Sequence, residues 1–537
     1  MNQQTLILSP EKAYDAEQRY RVVKRSIDAR QRALKVHLTV LTDEQGNPLP
    51  KDAPIPLYEP PHFQDVHNAE HSVAIIGAGP AGLFAALTLI EHGIRPVIYE
   101  RGKEVAERKK DIATLNRNQG LNAESNYCFG EGGAGTFSDG NLFSRSKKRG
   151  NMQRVMELFH HFGGDDRLLY EAHAHIGSDK LPTIIRRMRE CILEHGGEIH
   201  FSTCVDDSLF RSLINHTTLH HSAPTSSLEG RYGGFSPLLG IILAIGHSAH
   251  DTYHMLHANG VALATKGFAM GVRAEHPQAL INKLMYHDPS PELIRLVGNA
   301  SYSLVTQVQG RGVYSFCMCP GGHIVPAGSA LNSCVVNGMS ASHRNSPYAN
   351  SGMVVEIRPE DLLHYPLAQR PLPISPQGVQ YPQADLLAGL RFQQELERLA
   401  FEHGSAPSIA PAQRLRDFVE GRKSSTLPAC SYLPGVRSSS MHEWLPEHIG
   451  KRLQQGFRDF DRKYHGFLTN EAVILGAESR SSSAVRIPRD PETLQSISTT
   501  HLYPCGEGAG YAGGITSSAL DGINAALKIA EQLSSKH

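Results

Sequence analysis

SVAIIGAGPAGLFAALTLIEHGIRPVIYE, residues Ser72–Glu100, is the stretch that decides the fold. A short apolar strand, Val73 to Ile76, runs into Gly77-x-Gly79-x-x-Gly82. A helical apolar run follows, then a second strand, Pro96 to Tyr99, ending on Glu100. Gly77 permits the tight turn from strand to helix. Gly79, lacking a Cβ, lets a pyrophosphate approach the backbone, and Gly82 lets the helix pack close to the sheet. The helix N-terminus then offers free N–H groups and a partial positive charge to the phosphates. Glu100 stands where a carboxylate accepts hydrogen bonds from ribose hydroxyls. A lone GxGxxG is weak, but strand, glycines, helix, second strand and terminal acid together predict a dinucleotide site on a βαβ unit.

Working outward, the chain of 537 residues is too long for one ordinary core, so two or three domains are expected. Lys+Arg and Asp+Glu are both 53, a balance that argues against a broad electrostatic footprint for nucleic acid or an anionic membrane. The 29 histidines and eight cysteines are scattered, with no zinc spacing, so no metal site is expected. The N-terminus, MNQQTLILSPEKAYDAEQRY, is polar and charged, and a cytoplasmic protein with free thiols is expected. The longest apolar run, Val73 to Ile90, contains the nucleotide-loop glycines and a proline, which fits a soluble βα unit better than a membrane span.

Residues 1–70 read as a small α+β domain. A charged stretch of helical character (Glu17 to Val36) is followed by a β-prone run (Lys35 to Leu41) and the Pro-rich connector NPLPKDAPIPLYEPP. Residues 71–265 read as the first part of the nucleotide-binding domain. It contains a charged helix (Lys103 to Ile112), the glycine-dense loop GEGGAGTFSDG (Gly130 to Gly140), a helix (Leu181 to His195), a strand (Glu198 to Val205), a polar variable loop (residues 215–237) and a buried strand ending in Gly246. Residues 266–460 change character. Segments such as FAMGVRAEH and SGMVVEI alternate with Gly, Pro and Asn turns, predicting an inserted β-rich substrate or cap domain on an antiparallel or mixed sheet. Residues 461–537 read as the return to the first domain, with a strand (Leu502 to Cys505), a glycine loop and a helix (Thr516 to Leu533). The fold class is α/β, α+β overall: a Rossmann-like domain with a parallel sheet, the insertion, and the small leading domain.

The loop GEGAGYAGGI, Gly506 to Ile515, is the second strong signal. Its glycines let backbone lie against a flat ring, and the following helix dipole stabilises negative charge on the edge of a reduced flavin. An ordinary strand–turn–helix connection is the plainer alternative, but the pairing with the N-terminal fingerprint points to FAD rather than NAD.

On these motifs the chain resembles the family of FAD-dependent dehydrogenases or oxidoreductases of largely unassigned substrate, within the glutathione-reductase-like flavoprotein superfamily. GAGPAGLFAA (from Gly77), GEGGAGTFSDG (from Gly130), IGHSAHDT (from Ile245) and FAMGVRAEHP (from Phe268) carry the resemblance. So do FCMCPGGHIVPA (from Phe316), NGMSASHRNSPYANS (from Asn337), ESRSSSAVRI (from Glu478), CGEGAGYAGGI (from Cys505) and the N-terminal RSIDARQ (from Arg25). The resemblance covers nearly the whole chain. It implies that Ala78, Gly79, Pro80 and Ala81 line the pyrophosphate, in a cofactor-binding loop bounded by Gly77 and Gly82, and that Glu100 and Arg101 line the adenosine ribose and adenine. Gly133, Ala134 and Gly135, with Ser138, Asp139 and Gly140, would face the flavin or its ribityl chain. Val205 would close over the adenine, Gly246 would end the strand re-entering the domain, and Gly506, Glu507, Gly513, Gly514 and Ile515 would sit beside the flavin ring. Ile245 and His250 depart from the pattern, where threonine and arginine are expected, so the strand end is better supported there than any side-chain role.

No residue is assigned a catalytic role. Cys317-x-Cys319 invites a redox reading, but a CxC disulfide would close a strained small ring, and no CxxC or CxxxxC pair follows the first acid. The remaining candidates are Cys319 itself, His323 as a proton donor, and Arg480 and Arg344 as carboxylate binders, against turn placement for the histidine and surface ion pairing for the arginines. The expectation is an FAD enzyme passing a hydride or electron pair between a small organic substrate and the flavin. NAD(P)H stands open as a transient donor, and a further electron-transfer partner is open too. The alternatives are a flavin monooxygenase using NAD(P)H and oxygen, and a binding protein (a carrier or chaperone) on the same fold, which predicts decayed FAD contacts.

Overall fold

The computed structural model describes residues 2–138, 140–142, 150–218, 238–365, 385–406 and 408–534. Asp139 and most of the loop expected over residues 215–237 lie outside them. The Ser72–Ile76 strand sits at the centre of a five-stranded sheet, ordered Leu502–Pro504, Leu238–Leu243, Ser72–Ile76, Arg95–Tyr99, Glu198–His200, with every pair parallel. All five residues of the central strand are buried, and the apolar run Val73–Ile76 is continuous rather than alternating. Helix Pro80–Glu91 follows, with Pro80 in its first turn and Ala81 through Ile90 buried. The last helix, Ile515–Ser534, lies against it. Gly522 sets that approach, since a Cβ there would run into the Ala81 carbonyl oxygen, while Gly82 sets the turn from strand to helix, where a Cβ would run into the Gly77 carbonyl. Thus the first and last strands of the nucleotide-binding sheet come from opposite ends of the chain, and their helices share one close interface.

Between them lies a seven-stranded sheet, ordered Val305–Val308, Arg311–Cys319, Tyr348–Ile357, Phe268–Pro277, Val473–Glu478, Ala410–Arg414, Val436–Ser438. It is antiparallel except for its last pair, which is parallel, so the sheet is mixed. Val473–Glu478 pairs with Phe268–Pro277 here, and this corrects the sequence boundary at 460/461. That boundary rested on the return of glycine-loop character, whereas strand pairing keeps the chain in the inserted sheet through Glu478. Phe268–Pro277 is buried along nearly its whole length although it carries Arg273, Glu275 and His276. Arg273 is fully buried and forks onto Glu478, with Nε to Oε2 at 2.8 Å and Nη2 to Oε1 at 3.2 Å, and also donates to Asn350 and Asn337.

The leading segment forms a three-stranded antiparallel sheet, Asn2–Leu8, Lys35–Thr42, Val22–Asp28 in spatial order, packed on helix Pro10–Arg19. The helix therefore lies earlier than the charged stretch Glu17 to Val36 suggested. Ser9 caps it, and the alternation Val36, Leu38, Val40 supplies a buried face that a strand, not a helix, presents. Arg25 ties this unit down, bonding Glu17 at 2.7 Å and Glu171 at 2.6 Å while its backbone pairs with Tyr170 and Ala172.

Replacing Gly522 with alanine adds helix propensity of about 1 kcal/mol but drives a methyl into the Ala81 carbonyl. The net effect expected is a loss of about 1–3 kcal/mol, read as a lower thermal midpoint. A midpoint equal to or above the parent's contradicts this packing.

Candidate active site

A large cavity opens at the C-terminal ends of the parallel strands, where Ile76, Tyr99 and Ala244 give way to loops, and it holds about 1430 Å³ of space. Open α/β sheets bind ligands at this position. Three glycine loops converge on it. Gly77 takes the turn with φ +108°, and its N–H donates to the Tyr99 carbonyl at 2.8 Å. A Cβ on Gly79 would meet nothing nearer than Gly133 Cα at 3.7 Å, and one on Gly135 would meet Ile515 Cγ1 at 2.8 Å. Gly246, Gly513 and Gly514 have no atom within 4 Å of where a Cβ would stand. Here the backbone is bare toward the cavity, as close approach of a flat or charged ligand requires.

Two buried charges hold the middle loop. Arg108 is completely buried, and its hydrogen bonds all go to backbone carbonyls: Nε to Asn126 at 2.8 Å, Nη2 to Tyr127 at 3.1 Å, and Nη1 to Gly130, Glu131 and Gly133 at 3.2, 2.7 and 2.9 Å. Burial pulls its guanidinium down to about 10, the nearby Glu100 carboxylate acting the other way, so it stays charged at neutral pH. Glu100 does the opposite work, accepting N–H bonds from Ala78 at 2.8 Å, Gly102 at 2.9 Å and Gly130 at 3.0 Å. One carboxylate thus ties the first glycine loop to the second. Its expected ribose-binding role shares a side chain already committed to three backbone donors. Gly130 (φ +119°) is required there, since a Cβ would strike the Arg108 side chain.

Of the residues expected at the cofactor, the cavity wall includes Gly77, Gly79, Pro80 and Ala81 from the first loop, and Gly133, Ala134, Gly135 and Ser138 from the second. It also includes Glu100, Arg101, Val205 and Gly246, and Glu507, Gly513, Gly514 and Ile515 from the last loop. Ala78, Gly82, Gly140 and Gly506 stand behind the wall. Ala78 serves through its N–H to Glu100, and Gly506 through its N–H to Asp521 at 2.7 Å. Arg101 lies over the Phe129 ring at 4.3 Å and is gripped by Glu124 and Asp251, each at 2.8 Å.

The catalytic candidates separate. His323 is exposed at the start of strand His323–Pro326 and lines no part of the cavity, nor does Arg344. Cys319 is fully buried, with its thiol donating to the Cys317 carbonyl at 3.4 Å; Cys317, at the strand irregularity, is the one on the wall. None of the eight cysteines is in a disulfide. Arg480 reaches the wall, but it is neither a surface ion pair nor an open cation: Nε and Nη2 each bond Glu397 at 2.9 Å, with both side chains buried. Sequence reasoning missed Arg108, Glu397, Asn337 and His247. His247 also lines the cavity, with Nδ1 3.3 Å from Glu507 Oε2, and its Nε2 has no hydrogen-bond partner among the described residues. Arg108 left one signal, for it falls on the helix face of Val105, Ile112 and Leu115, an arginine at a core position. Among the described residues no cluster of three or more His, Cys, Asp or Glu is arranged to hold a metal, and no helix is long and apolar enough to cross a membrane.

Residues 70–125 match an FAD binding domain, and residues 267–481 match the model described as FAD-dependent protein, C-terminal domain-like. With the parallel sheet and glycine loops, these matches define the class: an FAD-dependent oxidoreductase. An uncharacterized protein of Clostridium beijerinckii (strain ATCC 51743 / NCIMB 8052) is 36% identical over 532 residues, 95% of this chain and 92% of that one. The chain belongs to the same family as that protein. Among solved structures, a mutant of halogenase PltM in complex with FAD aligns over 87% of this chain and 70% of its own, at 10% identity and a TM-score of 0.36. CtdE in complex with FAD aligns over 87% and 89%, at 9% identity and a TM-score of 0.28.

Glu100→Gln keeps one acceptor but turns an N–H donor toward backbone donors. FAD affinity should fall by about tenfold or more, roughly 1.4 kcal/mol, measured by titrating FAD into the apoprotein. Affinity unchanged would mean that the carboxylate does not organise the loops.

Proposed function

We propose that the protein is a cytoplasmic FAD-dependent dehydrogenase that exchanges a hydride or electron pair with a small organic substrate held between the nucleotide-binding sheet and the inserted β-rich domain, in a glutathione-reductase-like arrangement. The observation that carries this reading is the convergence of three bare glycine loops, from both ends of the chain, on one cavity that continues to Phe316 and Cys317 of the inserted sheet and Asn337 of the hairpin His323–Pro326/Val336–Met339. FAD, when bound, supplies a two-electron acceptor. The residues present fit it. The N-terminus of helix Pro80–Glu91 and the bare Gly79 would hold the pyrophosphate, Glu100, Arg101 and Val205 the adenosine end, and Gly133–Gly135 with Gly513–Ile515 the flavin end. Ser138, whose hydroxyl donates to the Gly135 carbonyl at 2.7 Å, stiffens that second loop. His247, oriented through Nδ1 by Glu507, stands where the cavity meets the inserted domain and has a ring nitrogen left over to hold or receive a substrate proton.

The second reading is a flavin monooxygenase, in which NAD(P)H is a transient donor and oxygen the acceptor. One titration separates the two. The purified protein is expected to be yellow, with flavin absorption bands that persist anaerobically when NADH or NADPH is added alone and bleach only with an organic substrate. Bleaching by NAD(P)H, with oxygen consumption on admitting air, favours the monooxygenase. A colourless protein that FAD cannot reconstitute overturns both.

A further inference from the structure

A second compartment adjoins the cofactor cavity and shares Cys128, Ala134, Ser138, His247, Asn337 and Arg480 with it. On the proposed reading this is where a substrate would meet the flavin, and its electrostatics restrict what enters. Arg480, Glu478 and His247 reach its wall, and each already has a counter-group inside the protein. Arg480 is forked onto Glu397, and its remaining nitrogen, Nη1, donates to Ser329 Oγ at 2.9 Å and Cys128 Sγ at 3.3 Å. Glu478 spends both oxygens on Arg273. His247 is set against Glu507. The neighbouring His250, pushed down to about 3 by burial and by the Arg480 charge, adds no cation at neutral pH. Much of the remaining wall is apolar: Tyr127, Phe137, Val325, Val335 and Val336.

Two neutral polar groups are left over, His247 Nε2 and the Asn337 amide. Asn337 Oδ1 is taken by Arg273 Nη2 at 3.0 Å and by the Gly338 N–H at 2.7 Å, which fixes the amide orientation and leaves its two N–H donors for a ligand. A carboxylate or ammonium group brought into this space would shed its water and find no opposite charge free to receive it, a large cost. A hydroxyl or carbonyl would lose less and would find a donor.

We infer that the substrate is an uncharged molecule with a hydroxyl or carbonyl oxygen set against the Asn337 amide. The inference rests on the FAD-oxidoreductase reading and excludes the carboxylate-binding role expected of Arg480.

The test uses the FAD-loaded protein and four probes of one shape: benzyl alcohol, benzaldehyde, benzoate and benzylamine. Binding is followed by the perturbation of the flavin visible spectrum and, independently, by thermal shift. An uncharged probe is expected to bind, with benzoate and benzylammonium weaker by about tenfold or more. Glu397→Gln removes the counter-charge from Arg480, so benzoate should gain about tenfold or more and overtake the alcohol. Benzoate or benzylammonium binding the parent protein as tightly as the uncharged probes, or neither uncharged probe binding, overturns the inference. If the variant does not fold, the ranking of the four probes on the parent decides. Flavin retention is read before any probe is added, so loss of the cofactor reading shows separately from loss of the substrate reading.

Discussion

Arg108 and Glu100 are two buried opposite charges that do not contact each other, and the backbone between them answers both. The guanidinium gathers carbonyls from Asn126 through Gly133; the carboxylate gathers N–H groups from Ala78, Gly102 and Gly130. A loop of glycines has little reason of its own to hold one shape, because each residue loses much conformational freedom on ordering. Charge-assisted bonds to fixed side chains supply that reason. With the loop held, Gly133 faces Gly79, and Gly135 faces Ile515 at the head of the last helix. The cofactor cavity is the space these three backbones leave.

The same device recurs where the inserted sheet meets the nucleotide-binding domain. Arg480–Glu397, Arg273–Glu478 and Arg489–Asp521 are buried pairs, and Asp521 also accepts the Gly506 N–H that ends the last parallel strand. Buried pairs are weak evidence for stability, since desolvation offsets much of the attraction. Their effect here is positional: they fix the strand ends from which the wall residues project, and they leave the second compartment without net charge. A site that binds a doubly charged pyrophosphate at one end and an uncharged substrate at the other needs this division between open helix termini and closed ion pairs.

Much of the nucleotide-binding fold was legible in the sequence. Val73–Ile76, the three glycines and the C-terminal GEGAGYAGGI are local patterns with local causes, and the parallel sheet, the two helices and most of the cavity wall follow them. What was illegible depends on partners distant in sequence. Arg480 and Glu397 are 83 residues apart, and nothing near ESRSSS announces that the arginine's charge is already taken. Val473–Glu478 is a strand by pattern, but only pairing with Phe268–Pro277 assigns it to the inserted sheet. His323 stood as a proton-donor candidate beside the plainer reading of a turn histidine, and it lies exposed at the start of the strand that pairs with Val336–Met339. Arg108 hid among the charges of a helix whose other face is solvated.

The most direct measurement on the central claim is the affinity of Arg108→Lys for FAD, with far-UV circular dichroism to establish that the variant folds. Lysine keeps the charge but offers three donors where five carbonyls wait. The account predicts a folded protein that binds FAD about tenfold or more weakly than the parent. A folded variant with the parent's affinity would show that the glycine loop holds its shape without the guanidinium, and would contradict the account.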